Sequence, residues 1–324
     1  MVVMNKLMLT VLAASALFGS CSKDDDDKIP NTEELVSPEL LNMAVSSTTA
    51  FTGGLMVYPC MPDTSIYIGN YNKNGQLSVI NANYTVVNGL ATSIQSPVRL
   101  PVGDYNFLYW GVLKNSQVDS TYDASSVTEP GLRQGANLAE LFYSLRKESY
   151  SDTTYTPVYD FVHAVQTLHV GTDKMEATLQ RAVAGLRVTI LNYDGSTMDS
   201  SIASCRILVS SIAGKLNYYT AEPSDFSKTV AFPLTVSGDS LTMSANSTVM
   251  LFPSGDAPEL SILLNLKNGQ EKIYRKPLAG PLAAGTRLVL RISLGDLFVE
   301  EGSSHGFEVK DWNEKTESID FPVN

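Results

Sequence analysis

Leu260-Ser261-Ile262-Leu263-Leu264-Asn265-Leu266-Lys267, followed by Asn268-Gly269 and then Lys272-Ile273-Tyr274, is the stretch on which the fold turns. Leu260, Ile262, Leu264 and Leu266 alternate with Ser261, Leu263, Asn265 and Lys267. A side-chain period of two belongs to a strand with one face on a core and the other wet. Asn-Gly is a strong hairpin signal, because both residues tolerate the positive φ of a type I′ turn. This stretch therefore reads as one arm of an antiparallel hairpin and the start of the next.

Outward from it the pattern recurs. Leu288, Leu290, Ile292 and Leu294 alternate in the same way, as do Leu186, Val188 and Ile190. Asn74-Gly75 and Asn88-Gly89 supply hairpin turns in the first half. Such runs imply an all-β chain of antiparallel sandwiches. One segment departs from period two. Leu138, Leu141, Phe142 and Leu145 fall at i, i+3, i+4 and i+7, with Asn137 as N-cap and Arg146-Lys147 at the C-terminal end, which predicts a short helix covering the open end of the first sandwich. Asp173 to Glu176 is a polar break after the Leu168-His169-Val170 strand and marks a domain boundary. The expected organisation is a signal peptide at 1–20, a lipidated acidic tether at 21–44, one β-sandwich at 45–174 and a second at 175–324. Within the tether, Leu40-Leu41 and Met43-Ala44-Val45 have the composition of a short strand.

The N-terminus carries the chemistry. Lys6 precedes an apolar stretch from Leu7 to Phe18, too short to span a bilayer and of signal-peptide length. It ends at Leu17-Phe18-Gly19-Ser20-Cys21, a pattern resembling a bacterial lipobox, although Phe18 replaces the usual small aliphatic residue. In a lipobox the peptide is cut before the cysteine and the thiol takes the lipid. Cys21 is thus the expected lipidation site. An ordinary secretory signal with an incidental cysteine is the alternative. Ser22-Lys23-Asp24-Asp25-Asp26-Asp27 follows, a charge block that stays solvated and extended. Behind a lipidated cysteine it resembles the surface-export signal of Bacteroidota lipoproteins. A plain tether and the enterokinase site of expression tags are competing readings.

Composition limits the remaining possibilities. The hydrophobic share is 44% and the charged share 18%, which describes a globular chain. A net charge of −11 makes nucleic acid a poor partner, since its phosphates repel an acidic surface. After residue 20 nothing approaches the roughly 20 apolar residues of a transmembrane helix, so membrane attachment rests on Cys21. Cys60 and Cys205 read as two buried free thiols, although an extracytoplasmic location would permit a bridge between them.

Candidate catalytic groups are sparse. His163 and His169 are six residues apart, so on one strand they share a face about 20 Å apart at roughly 3.3 Å per residue, too far for one metal. His305 sits in a Gly-Ser turn. Asp311, Glu314 and Glu317 around Trp312 invite comparison with a glycosidase carboxylate pair, but a charged strand end accounts for them. No nucleophile elbow, phosphate loop, dinucleotide fingerprint or zinc motif is present, so no catalysis, metal or cofactor is expected. Tyr105, Phe107 and Tyr109 form one stripe of a strand, with Leu108 and Trp110 on the other face. An aromatic platform of this kind is how a glycan would be held; core packing is the simpler account.

Leu179 to Ile190 resembles the opening strand of the second domain in FimB-type fimbrial anchor and minor subunits of Bacteroidota. Phe307-Glu308-Val309-Lys310-Asp311-Trp312-Asn313-Glu314 with Ile319-Asp320-Phe321 is similar to their C-terminal strand. The resemblance implies tandem transthyretin-like sandwiches, a surface lipoprotein of the outer membrane, fimbrial subunits as partners and no catalytic residues. Strand addition is a suitable docking mode, since main-chain pairing gives affinity with little demand on side chains. Shaft subunits of these fimbriae mature by cleavage after an Arg or Lys near the N-terminus. Between Lys28 and Arg99 the only basic residue is Lys73, which favours an anchor or tip role. A surface glycan-binding lipoprotein is the rival function.

Overall fold

The computed structural model describes residues 34–46, 49–114, 127–245 and 247–294, and the backbone alone over 313–321. In chain order the first strands are β1 (Leu35–Val36), β2 (Gly53–Cys60), β3 (Asn70–Tyr71), β4 (Leu77–Ser78), β5 (Ala82–Val87), β6 (Leu90–Ser96), β7 (Leu100–Pro101) and β8 (Gly103–Leu113). Then come β9 (Val127–Thr128), β10 (Phe142–Leu145), β11 (Thr154–Tyr155), β12 (Phe161–Val170), β13 (Gln180–Arg181), β14 (Ala184–Asn192), β15 (Ile202–Ile212) and β16 (Lys215–Asn217). The last are β17 (Pro223–Ser224), β18 (Lys228–Val236), β19 (Thr242–Ser244), β20 (Val249–Leu251), β21 (Glu259–Leu266), β22 (Glu271–Pro277), β23 (Thr286–Leu294) and β24 (Asn313–Phe321). The chain is all-β, as the alternation requires.

Two sheets dominate. A six-stranded antiparallel sheet runs β13-β12-β8-β2-β5-β6, and a ten-stranded sheet has the main path β22-β21-β15-β18-β19-β14-β23-β24. β21 buries Leu260, Ile262, Leu264 and Leu266, and β23 buries Leu288, Leu290, Ile292 and Leu294. Period two alone is silent on strand direction. β23 pairs in parallel with both β14 and β24, and β11 pairs in parallel with β18, so the second sheet is mixed rather than purely antiparallel.

The hairpin turns separate by type. At Asn88-Gly89 both residues have positive φ, 50° and 79°, which is the type I′ geometry joining β5 to β6. At Gly75 and Gly269 only the glycine is left-handed. Leu266 N–H donates to Gln270 and Gly269 N–H to Leu266, a three-residue loop whose glycine takes the left-handed position instead.

The amphipathic helix is a correction. Leu138–Glu140 makes a single 3₁₀ turn, capped by the Asn137 side chain accepting from the Ala139 N–H, and Leu141 is already extended. Phe142–Leu145 then forms β10, burying Tyr143 and Leu145 against β16. Tyr143, absent from the helical stripe, decides the matter: burying it alongside Leu145 satisfies period two, and cross-strand pairing outweighs local helical spacing.

The two halves of the chain exchange segments across residue 174. β10 pairs with β16 of the second half in a four-stranded sheet β17-β16-β10-β9, and β11 pairs with β18, whereas β13 pairs with β12 of the first sheet. Leu40 and Met43, at the end of the expected tether, are buried on the first sheet; Ala44 N–H donates to Ala177 and Leu41 N–H to Met175. β2 and β8 are covered on both faces. Leu55, Val57, Phe107 and Tyr109 face one core, while Tyr58, Cys60, Leu108 and Trp110 join the core of the second sheet. Gly111 lies where a Cβ would come within 2.8 Å of Val162 and 2.9 Å of Phe51, so only glycine lets this layer close.

Candidate functional site

Cys21 and the export run Ser22, Lys23, Asp24, Asp25, Asp26 and Asp27 lie outside the described residues, as do His305, Asp311 and Trp312. Glu314 and Glu317 are in β24, at register positions opposite Arg287 and Leu290.

The remaining candidate groups have structural roles. His163 Nε2–H donates to the Tyr219 carbonyl at 2.8 Å, and its ring lies 4.9 Å from that of Trp110. Burial lowers its pKa to about 4, so the ring is neutral at physiological pH, with the Tyr219 bond opposing the shift. His169 pairs with Asp104 at 2.7 Å on the surface. Cys60 and Cys205 are free and buried, and burial pushes both thiols up to about 12. Among the described residues no group of three His, Cys, Asp or Glu could hold a metal.

The aromatic stripe of β8 is packed away. Phe107, Tyr109 and Trp110 have no exposed surface, and Tyr105 is half-buried with its hydroxyl donating to the Pro101 carbonyl. Tyr109 bonds Gln166 at 2.9 Å and Trp110 Nε1–H donates to the Tyr218 carbonyl at 2.8 Å. Of these β8 aromatics Tyr105 alone keeps part of its surface exposed, so the stripe is not an open platform for a sugar ring.

What remains is main-chain chemistry at the sheet ends. An outer strand presents unpaired N–H and C=O groups that another chain can complete, and proteins ordinarily guard such edges with charge, proline or shortness. β22 carries Glu271, Lys272, Arg275 and Lys276 and closes on Pro277. β24 carries Glu314, Lys315, Glu317 and Asp320. β13 is two residues long. β6 lacks these three guards, since Leu90-Ala91-Thr92-Ser93-Ile94-Gln95-Ser96 has no charge and no proline over seven residues, and its protection is limited to two bulges in its ladder with β5. Leu90 is 49% exposed, Ile94 54%, the facing Val87 41% and Ile80, just before β5, 61%. The sequence reading located no particular edge. The available signal was the absence of any Asp, Glu, Lys or Arg from Asn74 to Val98, a window visible only by counting what is missing.

The family model for the fimbrillin-A associated anchor proteins Mfa1 and Mfa2 matches residues 40–318. No curated protein matches the sequence. Among solved structures, a proposed adhesin from Bacteroides ovatus shares 10% identity at a TM-score of 0.46, covering 81% of this chain and 88% of its own. The fimbrial anchor protein Mfa2 from Porphyromonas gingivalis shares 15% identity at a TM-score of 0.45, with 74% and 82% covered. A protein from Bacteroides thetaiotaomicron titled as a proposed polysaccharide-binding protein shares 16% at 0.45, with 72% and 78% covered. The family match spans nearly all of the two-sheet body, and the chain belongs to the fimbrillin-A associated anchor family.

Proposed function

We propose that this protein is a surface lipoprotein of the outer membrane that anchors or terminates a fimbrium, held by lipid on Cys21 and docking fimbrial subunits by strand addition without catalysis. The observation that carries the reading is family membership over residues 40–318, which assigns a fimbrial role. The lipobox-like Leu17-to-Cys21 pattern and the acidic run Ser22 to Asp27 support lipidation and export to the outer face. Division into two sandwiches near residue 174, with strands exchanged across it, is part of this proposal. The lack of a basic residue other than Lys73 between Lys28 and Arg99 supports an anchor or tip over a shaft subunit. Two sheets with several outer strands supply the edges strand addition needs.

Metabolic labelling with a palmitate analogue tests the anchor. Label is expected on the wild-type chain and not on Cys21→Ala, and the variant strain is expected to shed fimbriae while subunit synthesis continues. Label persisting on the variant, or fimbriae retained at normal length, would refute the proposal.

A further inference from the structure

We infer that the outer edge of β6 receives an extended segment of a fimbrial subunit, and that this segment carries no charged side chain where it lies against Leu90–Ser96. The inference rests on the fimbrial docking proposed above and assigns that docking to one strand.

Three observations lead there. First, β6 is the terminal strand of the six-stranded sheet, and among the described residues only β5 takes part in its main-chain ladder. Second, the edge exposes apolar side chains on both sides of the sheet. Val87 and Leu90 face each other at the turn, Ile94 stands opposite Tyr84 on the other face and is still 54% exposed, and Ile80 lies beyond the far end, where Asn83 pairs with Ser96. At roughly 3.3 Å per residue the strand is about 20 Å long, enough for six or seven residues of a partner. Third, the stretch from Asn74 to Val98 is uncharged in a chain of 34 acidic and 23 basic residues. A carboxylate or ammonium laid along this edge would lose hydration and find no opposite charge, so the complementary segment is neutral.

Other occupants fit less well. A lipid bilayer would strand the unpaired N–H and C=O groups of the edge in hydrocarbon. A second copy brings another net charge of −11. The ladder between β5 and β6 also shifts register between Asn83 and Tyr84 and between Thr85 and Val86. Two bulged, rigid edges match poorly, whereas an extended segment can follow the bend.

The test uses the full chain in a strain lacking its own copy. A photo-crosslinking residue at Gln95, in an otherwise unaltered chain, is expected to join a fimbrial subunit through a segment without charged residues. Leu90→Lys with Ile94→Lys is expected to increase fimbriae in the medium at least tenfold, while Ile273→Lys on β22 leaves attachment unchanged. Crosslinks only to a second copy, only to lipid, or none at all would overturn the inference, whatever the stability of the lysine variants. Normal attachment by a folded Leu90→Lys/Ile94→Lys chain would overturn it too. If Cys21→Ala sheds fimbriae and the lysine variant does not, the β6 assignment alone fails. If neither sheds them, the fimbrial docking role itself falls.

Discussion

Trp110 Nε1–H donates a 2.8 Å hydrogen bond to the carbonyl of Tyr218, 108 residues further along the chain. It ties β8, at the centre of the first sheet, to the turn after β16 in the second half of the chain. The indole also meets Tyr143 edge-on at 4.9 Å and Phe161 at 5.9 Å, so one side chain sits at the seam where the two halves of the chain meet in a single core. Trp110→Phe keeps much of the ring packing but leaves the Tyr218 carbonyl without its donor. The expected loss is about 1–3 kcal/mol for the unsatisfied group, read as a lower midpoint in urea unfolding.

Acid should loosen the same seam through His163. Its folded pKa, lowered to about 4, lies below the ordinary 6.5. Folding therefore favours the neutral ring, and the contribution is complete above pH 6.5. As pH falls from 6.5 towards 4 the unfolded chain binds a proton that the folded chain refuses, and stability declines. The ring is partly exposed, so the full decline is at most about 3 kcal/mol. His163→Gln should flatten this part of the stability–pH curve measured by denaturant titration. An unchanged slope would show that other groups govern acid sensitivity.

Asp160 is fully buried and receives the Arg181 guanidinium at 3.0 Å from Nε. Burial raises the carboxyl's pKa, and Arg181 opposes the rise. Arg181→Met removes the opposing charge and is expected to cost about 3–5 kcal/mol at pH 7. Because an isolated buried carboxyl takes up a proton more readily, the penalty should shrink as pH is lowered towards 5. A penalty independent of pH would mean that lost packing, rather than charge, is responsible.

Cys60 and Cys205 should resist alkylation at pH 8 in the folded protein and react promptly in denaturant, since both thiols are buried and held protonated. Mass spectrometry after timed iodoacetamide exposure reads the difference. Rapid native-state labelling of either would contradict its position in the core.

The strands were legible wherever one face is buried and the other wet. Leu260 to Leu266 and Leu288 to Leu294 announce themselves by period two, because the pleat dictates it. Leu138 to Leu145 misleads, since four apolar residues fit a helical stripe while Tyr143 supplies the alternation the sheet uses. Partner direction was not legible. Nothing in Leu288 to Leu294 tells that β14 and β24 run parallel to β23, because periodicity reports faces and not neighbours. The Trp110–Tyr218 bond is equally silent in sequence, being set by tertiary closure. The β6 edge was readable in principle, although its mark is missing charge between Asn74 and Val98.

The crossing of strands between the halves of the chain has a consequence for how the protein comes into being. β10 and β11 leave the exit tunnel early, yet their partners β16 and β18 emerge some 70 residues later. Such long-range contacts give the chain a high contact order and slow its folding. Until β16 and β18 are made, β10 and β11 lack the strands that pair them to the second half, so commitment to the native state waits for both halves of the described body. The two halves therefore fold as one coupled event rather than one after the other, and a lesion in either half should delay the closure of both.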